Sequence, residues 1–329
     1  MIRVAYIILI LTLITSCQSK KKQAELLEMS KPTWLKSRPV SNNYFYGIGI
    51  SSKVGGEQYY QNRSKEKALA DLAQQISTRI KSETNLIKTE DNKGVYEYIQ
   101  SRINATSNEF LEGYEFVDSW EDLSTYYTFY QLSKQDFYTL KAERKNKAIE
   151  FAWLKINQAQ EQKAQMNLIQ SLQLYASAID ALSGYLNEET SKTVNDEKID
   201  LFETSRSSIL NIIKQLNVSC SKKEIIGKTG TTIPSDKATI EVLWSNRKAE
   251  GIPVKFIYSA GYIINEIQVT DAKGNVSTPA LNFNQKEKEQ LVAEIDFVSL
   301  GRKVSKNLLV RQLIEKQKKQ SCLTDIYFR

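Results

Sequence analysis

Three cysteines and no histidine bound the chemistry open to this 329-residue chain. Without imidazole, serine–histidine and cysteine–histidine nucleophiles are excluded, and so is the commonest metal ligand. The thiols of Cys17, Cys220 and Cys322 cannot alone complete a four-ligand zinc site. No Gly-x-Ser-x-Gly elbow occurs. Carboxylates are the remaining acid–base groups, and Glu109, Glu112, Glu115, Asp118, Glu121 and Asp122 crowd one stretch. Two of them at the right separation would suit glycosidic hydrolysis. Their spacing singles out no pair, so they read as solvated charge, and no catalytic residue, cofactor or metal is expected. Asp271 and Asn275 hint at calcium, but an aspartate in a β-turn reads first as a turn residue.

Cys17 has the one context that dictates chemistry. Met1-Ile2-Arg3 is a short basic start, and residues 4–14 are apolar apart from Thr12. Leu13-Ile14-Thr15-Ser16-Cys17 closes that run with a small residue before the thiol, the pattern of a bacterial lipobox. It predicts removal of residues 1–16 and acylation of Cys17 through a thioether. The run is shorter than the about 20 residues of a spanning helix. Two or three acyl chains would anchor the chain stably, at about 0.8 kcal/mol per buried CH₂. Lys20, Lys21 and Lys22 follow in a tether over residues 17–30, each adding about 1 kcal/mol near anionic headgroups. Gln18, where aspartate would signal retention, points to the outer membrane. The lack of acidic residues after the cysteine favours its periplasmic side. Expected partners are the membrane, through this anchor, and envelope proteins or glycan. The net charge of +7 is dispersed, which argues against nucleic acid. Cys220 and Cys322 have two futures. They bond in an oxidising compartment, closing a loop worth up to about 4–5 kcal/mol, or they stay apart as buried thiols.

The elements that follow form a first domain over residues 31–140. The aromatic and β-branched stretch 44–50 is a predicted strand, with Gly47 and Gly49 permitting close backbone approach. Leu69, Leu72, Ala73, Ile76 and Ile80 share one face of a helix over 58–82, and its alanines let it sit close to a sheet. A strand is expected at 85–90 and a second helix over 95–110. Strands over 114–120 and 125–133 follow, with Glu121-Asp122 at the turn. This order predicts an α+β fold, an antiparallel sheet with helices on one face. Tyr114, Phe116, Trp120, Tyr126 and Tyr130 are the candidate binding surface on that sheet, with core packing as the competing reading.

Pro32-x-Trp34, Tyr46-Gly47-x-Gly49 and the alanine-spaced helix 68–80 with Ser82 after it resemble the Lpp-twenty family of bacterial lipoproteins. Gly113, Trp120 and the aromatic strand 126–132 continue in that family's order. The same stretch is similar to the N-terminal domain of flagellar assembly protein T. The resemblance covers about a third of the chain. It implies a membrane-associated envelope protein with no catalytic residues.

Residues 141–217 carry three apolar stripes at helical spacing, through Ile156, Leu172 and Ile209, and read as a helical hairpin or three-helix spacer. A groove for a partner helix is the sharper reading of the same stripes. Residues 218–329 shift to short alternating strands and predict a β-sandwich. Gly251-x-Pro253-Val254 followed by Thr270-Asp271-x-x-Gly274 is similar to immunoglobulin-like and transthyretin-like envelope modules.

Overall fold

The structure is a computed structural model in which residues 26–83, 97–98, 101–103, 105, 111–282 and 288–328 are described. The lipobox with Cys17, the strand expected at 85–90 and Glu109 lie outside the described residues. The fold is α+β, with helices and several antiparallel sheets. The chain divides into two compact units, Met1–Thr84 with Ala105–Glu143, and Asn85–Asn104 with Arg144–Arg329.

The first unit contains β1 (Tyr44–Ser52), β2 (Glu115–Glu121) and β3 (Thr125–Ser133), antiparallel in the order β1-β3-β2. The single turn α1 (Thr33–Lys36) precedes them, and α2 (Glu57–Glu83) lies on one sheet face. Ser64, Ala68, Leu72 and Ile76, four residues apart, are all buried along that contact. Two strand glycines set its closeness. A Cβ on Gly49 would stand 1.8 Å from the Ser64 carbonyl oxygen, and one on Gly47 would stand 2.2 Å from that of Ala68. The helix backbone therefore rests on the strand with no side chain between. On the opposite face Trp34 stacks on Phe129 at 5.1 Å, and its indole N–H donates to Asp118 Oδ2 at 2.8 Å. The β2–β3 turn is fixed by Asp122, whose Oδ1 accepts from the N–H groups of Ser124 (2.8 Å) and Thr125 (2.7 Å). Burial opposes the charged form of Asp122, but these bonds and those of the neighbouring hydroxyls outweigh it and hold its carboxyl below the ordinary value.

The helix expected over 95–110 does not complete a second helical layer of this unit. Its described residues are helical, but 97–98 and 101–103 belong to the second unit. Arg102 and Ile103 explain the transfer. Arg102 lies 3.6 Å from Asp180 and donates to Ser183 Oγ at 3.1 Å, and Ile103 is buried.

The second unit takes in most of α3 (Lys134–Ala164), then α4 (Leu168–Leu182) and α5 (Leu201–Lys214). Ser171 Oγ of α4 donates to the Ala159 carbonyl of α3 at 2.8 Å. Between α4 and α5 stands a hairpin that the apolar stripes do not reveal, β4 (Ser191–Val194) and β5 (Glu197–Asp200). Its turn residues Asn195 and Asp196 both adopt positive φ, the conformation such tight hairpins require.

Among the described residues, nine further strands build two sheets. One has the order β11 (Ile267–Val269), β10 (Pro253–Tyr258), β13 (Lys288–Ile295), β14 (Ser321–Phe328), β7 (Glu224–Gly227), with β14 and β7 parallel. The other has β12 (Asn275–Ser277), β8 (Thr239–Trp244) and β6 (Leu216–Cys220), with β9 (Arg247–Lys248) on β8. Ile240 and Val242 of one sheet and Val254, Phe256, Leu291 and Ile326 of the other are buried. Cys220 on β6 and Cys322 on β14 are disulfide-bonded, their Cα atoms 5.7 Å apart, so the bond ties sheet to sheet.

The stretches expected as a spacer at 141–217 and a sandwich at 218–329 fall, from Arg144 on, within one compact unit. The cause is a helical pair inserted before the last strand, α6 (Phe297–Val304) and α7 (Leu308–Glu315). The buried Leu300, Val304, Val310 and Ile314 mark its inner side, and α6 and α7 meet α4 and α5. Asp296 and Asn307 start the two helices, accepting from Val298 N at 3.0 Å and Leu309 N at 3.0 Å.

Candidate functional site

β1 is an edge strand of the first unit's sheet, and a cleft lies beside it. An edge strand presents alternate backbone groups to solvent. Here α2 reaches over and takes them. Gln75 Oε1 accepts from Tyr46 N at 3.1 Å, and Asp71 Oδ2 accepts from Ile48 N at 2.9 Å. Four residues of helix rise about 6 Å and two residues of strand about 6.8 Å, so these two side chains match the two N–H groups. Arg38 completes the arrangement. It holds Asp71 through both nitrogens, at 3.1 and 2.7 Å, and donates to the Tyr46 carbonyl at 2.9 Å.

Beyond this closed edge a cleft of about 560 Å³ opens between α2 and the segment that leads into β1. Arg38, Pro39, Val40 and Ser41 line one side, and Gln74, Gln75 and Thr78 the other. Lys134, the first residue of α3, also lines it. Its Nζ donates to the Ser41 carbonyl at 2.7 Å and stands 5.2 Å from the Phe45 ring. A second cleft, about 580 Å³, lies in the second unit beside Arg102, Asp180 and Asn307. There the polar groups satisfy one another. Asp180 faces Arg102 and accepts from Asn307 Nδ2 at 2.9 Å.

The aromatic surface expected on the sheet divides in two. Tyr130 is 9% exposed and packs edge-on against Tyr114 at 5.7 Å and Phe116 at 5.6 Å. Tyr126 lies 5.4 Å from Tyr60 of α2, so these four share the helix-covered face. Lys65 of α2 stands 5.3 Å from the Tyr114 ring, and its hydrogen bond with Tyr114 raises its pKa. Trp120 points the other way, onto Tyr127 at 5.6 Å. The shift of register between Phe116 and Asp118 puts Trp120 out of phase with Phe116. Phe116, 56% exposed, is the member left most open to a partner.

The crowded carboxylates are likewise dispersed. Asp118 holds Trp34, Asp122 holds its turn, Glu121 lies 3.1 Å from Lys53, and Glu115 accepts from Gln131 at 3.0 Å. Asp271 Oδ1 accepts from Lys273 N at 2.8 Å and Asn275 N at 2.9 Å, as a turn aspartate does. Among the described residues no acidic, cysteine or histidine cluster could hold a metal ion, and no helix is long and apolar enough to cross a membrane. The β1-edge cleft lies apart from the site residues that the sequence predicts. Its signal is the pair Asp71 and Gln75 at i, i+4 beside a glycine-spaced strand. No family model matches this chain, and no curated protein matches its sequence.

Proposed function

We propose that this chain is a lipid-anchored envelope protein on the periplasmic side of the outer membrane, a non-catalytic component that works by binding. The observation that carries the reading is the Cys220–Cys322 bond. Disulfides form and persist in oxidising compartments, which is where a lipobox would send the chain. The resemblance of the first unit to Lpp-twenty lipoproteins belongs to the same proposal, as does the likeness of the strand-rich end to immunoglobulin-like modules. The β1-edge cleft supports binding as the activity. Its one carboxylate, Asp71, is committed to Arg38 and the strand edge, with none to spare as an acid or base. The test is fractionation with Cys17→Ala as control, followed by crosslinking in intact cells. Wild-type protein should pellet with the outer membrane and the variant should not. A variant that still pellets would defeat the anchor, and a mature terminus beyond residue 17 would defeat the address.

The same cleft favours glycan as the partner over a cell-wall hydrolase's substrate, because hydroxyl and amide groups line it without a second carboxylate.

A further inference from the structure

We infer that the β1-edge cleft takes a carboxylated saccharide, an inference that rests on the binding reading and names its ligand class. What the lining groups still have to offer sets the ligand's chemistry. Ser41 Oγ accepts from Asn43 N at 3.0 Å and Tyr44 N at 3.3 Å, so both lone pairs are used and its O–H is left to donate. Gln75 spends its oxygen on Tyr46 N, which turns its NH₂ away from the strand. Asp71 gives both oxygens to Arg38 and Ile48. Thr78 directs its hydroxyl to the Gln74 carbonyl. Thr78 is thereby left as an acceptor only, but Ser41, Gln75 and Lys134 retain donors, so donors prevail in the cleft and a complementary ligand must be richer in acceptors.

Charge narrows the class further. Lys134 has one N–H on the Ser41 carbonyl and stands in no salt bridge among the described residues, and Arg79 lines the same cleft. An anionic group fits there. A bare inorganic anion would leave the rest of the lining without a partner. Pro39, Val40 and Phe45 offer apolar surface beside the amides of Gln74 and Gln75, and about 560 Å³ is room for a small organic molecule. A sugar ring has both faces this needs, C–H groups for the apolar flank and oxygens for the donors. A carboxylate on the ring meets Lys134.

The test is titration of the full-length protein, in detergent micelles, with digalacturonic acid, its methyl ester and inorganic phosphate. The free acid should bind and shift the side-chain amide resonances of Gln74 and Gln75. The ester should bind at least about tenfold more weakly, the scale of one charge-assisted hydrogen bond. Lys134→Gln should lower the affinity for the acid to that for the ester and leave the ester unchanged. If that variant does not fold, the acid–ester comparison on wild type decides. Equal affinity for acid and ester overturns the inference, as does phosphate binding as tightly as the acid. If no saccharide binds while crosslinking still captures envelope partners, this inference fails and the binding reading stands. Loss of membrane association in wild type would defeat that reading and leave the titration result untouched.

Discussion

The two units secure their sheets by different means. In the first, a helix backbone rests on Gly47 and Gly49, and side chains from that helix close the strand edge. In the second, a covalent bond joins two sheets through residues 102 apart in sequence. The edges contrast as well. β1 is capped by Arg38, Asp71 and Gln75, whereas β11 ends its sheet with Ile267 and Val269, 40% and 51% exposed. A short, close contact needs shape complementarity at each atom. A distant one needs only that the ends stay together. Damage to each should therefore read out separately, and four substitutions test this in falling order of effect.

Cys322→Ser should cost the most, up to about 4–5 kcal/mol on the chain-entropy account for a loop of this size. Denaturant unfolding should show the second unit's transition moving while the first unit's stays in place. If both move together, the comparison between units breaks. Gly49→Ala should cost about 3 kcal/mol or more, since its Cβ would collide with a backbone oxygen that no rotamer change can move. Hydrogen exchange of β1 and α2 should rise, with β13 and β14 unaffected.

Asp71→Ala comes third, at about 2 kcal/mol, because Ile48 N loses its acceptor and Arg38 its partner at a half-exposed site. It also sharpens the contrast of edges. An uncapped β1 should pair with other chains, so sedimentation should show concentration-dependent association that wild type lacks. Asp122→Asn is the mildest, about 1 kcal/mol. Its pH dependence carries the information. The folded carboxyl lies below the ordinary 3.8, so the advantage of wild type over the variant is complete above that value. It should vanish as pH falls through the lowered folded value. A difference that persists unchanged into acid would mean that charge plays no part in the turn.

Much of the fold is legible where the pattern is local. Alternation marks β1 and β3, and the stripe through Leu72 and Ile76 marks α2. Alanine spacing accounts for half of the close helix–strand contact. Ala68 is buried, but the contact line continues to Ser64, a polar residue that no apolar stripe includes and that finds Thr128 Oγ1 at 3.0 Å. Asp296 and Asn307 are ordinary helix-start residues before apolar runs, so α6 and α7 carry a local signal even among strands. Residues 97–98 and 101–103 are a different case. Helical spacing fixes a helix there but not which body it joins, because Arg102 answers to Asp180 and Ser183, about 80 residues downstream. The candidate site follows the same division. The aromatic residues are visible from composition, but the bulge that sends Trp120 to the other face is a property of the pairing. The cleft needs Arg38, Asp71 and Lys134 together, and only the folded chain assembles them.

The Cys220–Cys322 bond makes a closed circuit of roughly a third of the polypeptide. A protease that clips the exposed segment around Tyr262 or Ile264 would cut the backbone without freeing a fragment. The nicked molecule would migrate as one species on a gel until a thiol reagent was added, and only then separate into two. The molecule would tolerate such wounds within this circuit, while the same cut in the first unit would sever what lies beyond it.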